Sequence, residues 1–186
     1  DVLPLLNGNC DFETRDGVKH HIDRWDLLIA HPPCTYLSNA GACRLYPRKG
    51  ELNIERYQKG LEAKEFFLKF LNANITHICV ENPVSSTVFN MPPHSQEIQP
   101  YQFDDSGEHP YTKKTRLWLR DLPKLIPTTP DRIPVGPYVP AGTSRKNRNK
   151  YGAAKRGEDA KNRAKTFRGF AEAMAEQWTK YLEEEC

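Results

Sequence analysis

The sequence predicts an α/β fold whose centre is a strand, a helix and a second strand, in that order. Residues 25–30 form a short apolar run that is stopped by Pro32 and Pro33, as expected of a buried strand. Residues 53–72 carry apolar side chains at the spacing of an amphipathic helix. Residues 75–80 are compact and rich in β-branched side chains, which predicts a second buried strand.

This order of elements is a βαβ unit, in which the two strands lie parallel and a right-handed crossover joins them. Ligands of such sheets bind beyond the carboxyl ends of the strands. Cys34 follows the first strand and Glu81 follows the second. Both side chains are therefore expected at the same edge of the sheet.

The segments before and after this unit complete a single predicted domain over residues 1–186. Residues 1–6 predict the end of a strand that runs into a loop, and residues 7–24 are polar and rich in turn-forming residues. Residues 84–112 predict irregular structure, and weak alternation over residues 115–119 predicts another strand.

The C-terminal part predicts a loop region and a closing helix. Residues 123–140 are rich in proline, and residues 143–165 form a basic loop with nine Lys or Arg against two acidic residues. Apolar residues at steps of three and four then predict a helix over residues 166–184, with Thr166 as its N-cap.

Composition excludes several classes of protein. Hydrophobic residues make up 38% and charged residues 27%, as in soluble globular proteins, and no apolar run approaches the roughly 20 residues that cross a bilayer. The five cysteines are an odd number and include no CxxC pair, so neither a disulfide framework nor a zinc site is expected. We expect reduced thiols, a cytoplasmic protein, no membrane and no metal.

The segment from Asp26 to Thr35 resembles the nucleophile motif of cytosine C5-methyltransferases, in which a buried strand ends in a Pro-Cys dipeptide. Val80-Glu81-Asn82 resembles the Glu-Asn motif of the same family, again at a strand end and in the same order along the chain. The chain is most similar overall to short phage-encoded proteins described as cytosine methyltransferase-like. That origin implies the cytoplasm of a bacterial host.

More distant similarities extend this resemblance. Thr112, Lys114 and Arg116 lie where the family has a Gln-x-Arg-x-Arg motif, and residues 169–175 are similar to the family's last helix, which packs near the cofactor. The family's glycine-rich first motif has no counterpart here. The resemblance therefore implies a Rossmann-like methyltransferase sheet with flanking helices that lacks its first strand and turn.

The resemblance implies a DNA cytosine methyltransferase that uses S-adenosylmethionine. The expected catalytic residues are Cys34, Glu81, Pro33 and Arg116. The residues expected to bind the cofactor are Asp1, Thr166 and Phe167. The residues expected to bind DNA are Lys114, Arg145, Lys146, Arg148 and Lys150. Without the glycine-rich turn, we expect the 186-residue chain alone to bind S-adenosylmethionine weakly or not at all.

The chemistry of the cytosine ring explains why a thiol and a carboxyl group are needed together. Cytosine C5 is a poor nucleophile until a thiolate adds to C6 and converts the ring to an enamine. A carboxyl group at ring N3 that is protonated, or shares a proton, stabilises the charge that builds up during this addition. The base must leave the duplex before either group can reach it.

Each assignment has a structural alternative. Cys34 would otherwise be an inert packing residue, and Glu81 would cap the turn that follows it. His31 is interpreted as a hydrogen-bonding loop residue rather than a base. Lys114 and Arg116 are alternatively exposed strand charges.

The basic loop and the whole chain also have alternative interpretations. The basic loop either contacts phosphates, which we favour, or is a solvated surface segment. For the chain, the alternatives to a methyltransferase are another pyrimidine C5-modifying enzyme and a non-catalytic, degenerate methyltransferase that binds nucleic acid.

Overall fold

The computed structural model describes residues 2–138 and 166–185 of the chain. The helices of these residues are α1 Leu3–Leu6, α2 Ala42–Leu45, α3 Ile54–Leu71 and α4 Arg168–Glu185. The strands are β1 Asp11–Glu13, β2 Lys19–His21, β3 Leu27–Ala30, β4 His77–Pro83, β5 Gln96–Ile98, β6 Tyr111–Thr112, β7 Thr115–Arg120 and β8 Gly136–Pro137.

The predicted strand–helix–strand unit is confirmed as β3, α3 and β4. The two strands are neighbours and pair in parallel, with Leu27 opposite His77 and Ala30 opposite Val80. Asn53 caps α3, because its side-chain oxygen accepts a hydrogen bond from the Arg56 amide at 2.9 Å.

The central sheet is mixed and has the strand order β3-β4-β7-β5. The strand predicted over residues 115–119 is confirmed as β7, which pairs antiparallel with β4. At the end of β7, the Arg120 guanidinium donates to the carbonyls of Leu71 and Ala73, at 3.3 and 2.6 Å. The chain thus has an α/β fold. The hydrogen bonds of Arg120, at the end of β7, also fix the turn between α3 and β4.

The apolar core lies between α3 and one face of the sheet. Phe67 of α3 is fully buried and packs edge-on against Trp118 of β7, with ring centroids 4.9 Å apart. Ile78 and Val80 of β4 are also fully buried in this cluster. Because the core anchors the middle of β4, the residues that follow Val80 have a rigid support.

One N-terminal prediction is wrong, and the turn-rich segment that follows contains a hairpin. Residues 3–6 form the short helix α1 instead of a strand end, and Pro4 in its first turn is a residue that favours helix starts. Within the predicted turn-rich stretch 7–24, β1 and β2 form an antiparallel hairpin. Its stabilising contacts, such as the stacking of Phe12 on His20, link residues across the hairpin and follow no period along the sequence.

The described residues of the predicted domain fall into two compact units. The first unit consists of Asp1–Glu97 and Thr115–Lys124, and the second of Ile98–Lys114 and Leu125–Cys186. The chain changes unit three times, and such long-range grouping leaves no signature in local sequence patterns.

The second unit contains α4 and the short sheet of β6 and β8, which pair in parallel. The closing helix is confirmed, but it begins at Arg168 rather than Thr166. The carbonyl of Phe167 accepts the bonds from the amides of Phe170 and Ala171, so Phe167 takes the N-cap position that was predicted for Thr166. No helix in the described part of the chain is long and apolar enough to span a membrane.

A glycine in α3 generates a prediction about stability. A Cβ atom on Gly60 would overlap Cε1 and Cζ of Phe89, which lies in a 3-10 turn after β4. Alanine normally stabilises a helix relative to glycine, yet overpacking costs about 1–3 kcal/mol. We expect Gly60→Ala to lower the free energy of unfolding in urea by that amount.

Two control variants show whether the Phe89 ring causes the loss of stability. In a Phe89→Leu background the same Gly60→Ala change should be less destabilising, since the ring that it meets is gone. Gln58→Ala, at an exposed position of α3, should change stability by less than about 0.5 kcal/mol. A stabilising Gly60→Ala would show that this close packing is wrong.

Candidate functional site at the carboxyl edge of β3 and β4

β4 is longer than β3, so the last residue of β3, Ala30, lies beside the middle of β4, at Val80. β4 was predicted to stop at Val80, but it continues to Pro83. Its last residues pair with β7, with Glu81 opposite Leu117 and Asn82 opposite Arg116. Glu81 is therefore held on a paired strand, at the level where the chain leaves β3.

His31 and Glu81 meet at this edge. His31 follows Ala30 and Glu81 follows Val80, so the parallel register places them side by side. The Nδ1 atom of His31 lies 2.7 Å from Oε2 of Glu81, which is hydrogen-bond distance. The Glu81 side chain is 17% exposed and that of His31 is 40% exposed. The interpretation of His31 as a hydrogen-bonding loop residue is confirmed, and its partner is Glu81.

Asn82 holds the start of the loop that carries Cys34. Its side chain is 1% exposed, and Nδ2 donates to the carbonyl oxygen of Pro32 at 2.9 Å. Pro32 is buried, whereas the next residue, Pro33, is exposed. Asn82 thus fixes the loop two residues before Cys34.

The turn after Cys34 is attached to the segment that follows β4. The carbonyl of Cys34 accepts hydrogen bonds from the amides of Leu37 and Ser38, at 3.1 and 2.8 Å. The Asn39 amide donates to the carbonyl of Val84 at 2.9 Å. The structure therefore brings the Cys34 turn and Glu81 to the same edge of the sheet, as predicted.

Arg56 of α3 contacts the same turn from the helix side. Its Nη2 atom donates to the carbonyl of Thr35 at 2.8 Å, and its guanidinium lies 5.0 Å from the centre of the Tyr36 ring. The residue that follows Cys34 is thus held by α3, in addition to the bonds from the strand side.

The cysteines of the first unit differ in exposure. Cys34 is half-buried, whereas Cys79 on β4 is completely buried. Burial raises the pKa of the Cys79 thiol, and the negative charge of Glu81 raises that pKa further. Cys79 therefore stays a protonated packing residue.

Arg116 lies opposite Asn82 on β7, and its Nε atom is 3.6 Å from Oε2 of Glu97. Paired residues on neighbouring strands share a face of the sheet, so Arg116 is on the face of Asn82. Arg116 Nε and Asn82 Oδ1 are buried and have no hydrogen-bond partner among the residues that the structure describes.

The structure describes two of the three residues predicted to bind S-adenosylmethionine, Thr166 and Phe167. Asp1 lies outside the described residues. Thr166 is exposed, but Phe167 is only 5% exposed, and its ring packs against those of Tyr138 and His109 with centroids 4.9 and 5.0 Å apart. Phe167 is therefore a core residue of the second unit.

The predicted DNA-binding residues are mostly beyond the described part of the chain. Lys114 is exposed and belongs to the second unit. The basic loop 143–165 lies outside the described residues, together with its predicted contact residues Arg145, Lys146, Arg148 and Lys150. Within residues 2–138 and 166–185, no group of three or more His, Cys, Asp or Glu is arranged to hold a metal ion.

Sequence reasoning did not assign a site role to Asn82, Arg56 or His31. The position of each of two residues could have indicated a site role. Asn82 directly follows Glu81, and His31 directly follows β3. The partner of Arg56, by contrast, is a backbone carbonyl 21 residues away, and the sequence carries no sign of it.

Comparisons of the chain with models of protein families, with curated proteins and with solved structures give no match. A function for this chain must therefore be argued from the geometry of the site and from the motifs within it.

The raised pKa of Cys79 predicts how stability depends on pH. The folded protein keeps this thiol protonated, while the unfolded chain releases the proton above about pH 8.5. The unfolded state then binds fewer protons, so the free energy of unfolding falls as pH rises, by up to about 1.4 kcal/mol per pH unit. Urea unfolding of the wild type and Cys79→Ala between pH 7 and 10, under reducing conditions, measures this effect. The difference in stability between them should shrink with rising pH, and a constant difference would contradict the assignment.

Proposed function

We propose that this chain is the catalytic part of a DNA cytosine C5-methyltransferase built on a Rossmann-like sheet. The observation that carries the proposal is the parallel pairing of β3 and β4, which sets His31, three residues before Cys34, beside Glu81. A thiol and a carboxyl group at one edge of a sheet are the two groups that activation of a pyrimidine C5 atom requires.

Cys34 is the proposed nucleophile. As its thiolate adds to C6, the bond between sulfur and C6 forms and the C5–C6 double bond is lost. The electron pair moves through C4 to N3, which takes a proton from the carboxyl group of Glu81. The resulting enamine carries nucleophilic character at C5, where the new group is attached.

The environments of Cys34 and Cys79 support this choice of nucleophile. The thiolate is the reactive form of cysteine, and a thiol that is buried away from solvent resists ionisation. Cys79 is completely buried and has a raised pKa, whereas Cys34 is half-buried in a loop at the sheet edge. A base that has left its duplex can approach a loop residue, but it cannot reach the middle of a paired strand.

The remaining roles in the proposal come from the resemblance. S-adenosylmethionine supplies the methyl group, Arg116 acts next to the base, and Lys114 and the basic loop 143–165 contact DNA phosphates. Pro33 shapes the loop in front of Cys34, together with the bond between Asn82 and the Pro32 carbonyl.

Hydrogen exchange at cytosine C5 tests the nucleophile without any cofactor. Addition of the Cys34 thiolate makes C5 accept a proton from water, and loss of the original hydrogen followed by expulsion of the thiolate restores cytosine. We expect the chain to release tritium from DNA that contains [5-³H]cytosine. Cys34→Ser should abolish the release, and Cys79→Ser should retain it.

Glu81 gives the second part of this test. Glu81→Ala should slow tritium release by about 100-fold, in the range of general acid catalysis. Release that persists in Cys34→Ser would contradict the assignment of the nucleophile. No release by the wild type would favour a non-catalytic protein that binds nucleic acid. Tritium release without methyl transfer from S-adenosylmethionine, in a chain extended upstream, would indicate another C5 modification.

A further inference from the structure

The contact between His31 and Glu81 joins a carboxyl group to a titratable ring. The two groups differ in their access to water. Glu81 is 17% exposed, whereas His31 is 40% exposed. One ring nitrogen of His31 faces Glu81 at 2.7 Å. The pair therefore forms a short path for protons between solvent and a less accessible carboxyl group.

The surroundings of Glu81 make His31 the group suited to exchange protons with it. Cys79 interacts electrostatically with Glu81, but its buried thiol has a raised pKa and releases no proton near neutral pH. The residue opposite Glu81 on β7 is Leu117, which has no titratable group. Arg116, one position further along β7, is paired with Glu97, and an arginine side chain does not release its proton in proteins.

We propose that His31 is a proton-relay residue that resupplies Glu81 during thiolate addition, an inference that rests on the proposed function. As Cys34 attacks C6, Glu81 gives its proton to N3. The neutral His31 ring then takes a proton from solvent, and its Nδ1 atom gives a proton to the Glu81 carboxylate. When the thiolate leaves, the N3 proton returns along the same path, so the net proton count is unchanged.

The first test needs no substrate and examines the pair itself. In the folded chain labelled with ¹⁵N, the Nδ1 resonance of His31 should be that of a nitrogen hydrogen-bonded to a carboxyl group. Glu81→Gln should shift this resonance, whereas Glu62→Gln, at an exposed position of α3, should leave it in place. An unchanged His31 resonance in Glu81→Gln would overturn the inference, whatever the chain does to DNA.

The second test separates proton transfer from simple hydrogen bonding. His31→Ala should slow tritium release from [5-³H]cytosine DNA by at least about tenfold. Added imidazole should restore the rate, because the histidine position is open to solvent. Imidazole should not rescue Glu81→Ala. His31→Asn keeps an amide donor near the position of Nδ1 but carries no titratable proton, so it should be slow as well.

The outcomes distinguish this inference from the proposed function. If the wild type releases tritium and Cys34→Ser does not, the nucleophile stands. A wild-type rate in His31→Asn would then overturn the relay and leave only a hydrogen-bonding role. Failure of imidazole to accelerate His31→Ala would overturn it too. Absence of release by the wild type would overturn both proposals together.

Discussion

The parallel pairing of β3 with β4 is the constraint on which the candidate site depends. Its register sets Ala30 beside Val80, so His31 and Glu81 meet although 50 residues separate them in sequence. A slip of one residue would turn Glu81 toward the opposite face of the sheet and separate the pair. The core stabilises this register, because Ile78 and Val80 are fully buried in the cluster that includes Phe67 of α3. The geometry of the edge therefore depends on packing in the middle of the sheet.

A rigid strand and a held loop meet at this edge. Glu81 lies on a strand that is paired on both sides up to Val80 and continues to pair with β7 beyond it. Cys34 lies in a turn that is attached from several directions, through the Pro32 carbonyl to Asn82, through Thr35 to Arg56, and through Asn39 to Val84. A carboxyl group on a rigid support and a thiol in a held turn suit the proposed reaction, in which both must contact one base.

Much of the fold and the placement of the site could be predicted from the sequence. Apolar runs that end in proline identify β3, and helical spacing identifies α3, so Cys34 and Glu81 were expected together. The contact between His31 and Glu81 could not be predicted, because it depends on the exact register. The two units, the β1–β2 hairpin and the extension of β4 depend on contacts between distant segments, which have no local period. The burial of Phe167 among aromatic rings likewise depends on contacts between distant segments.

The proposed reaction requires Cys34 and Glu81 to act on one base at the edge of β3 and β4. The most direct measurement is a crystal structure of the chain with DNA in which pyrimidin-2-one replaces cytosine, a base on which thiolate adducts persist. We expect a bond between Sγ of Cys34 and C6, with the Glu81 carboxyl group within hydrogen-bond distance of N3 and still in contact with His31. A bond from another cysteine, or an N3 atom that faces a residue other than Glu81, would contradict it.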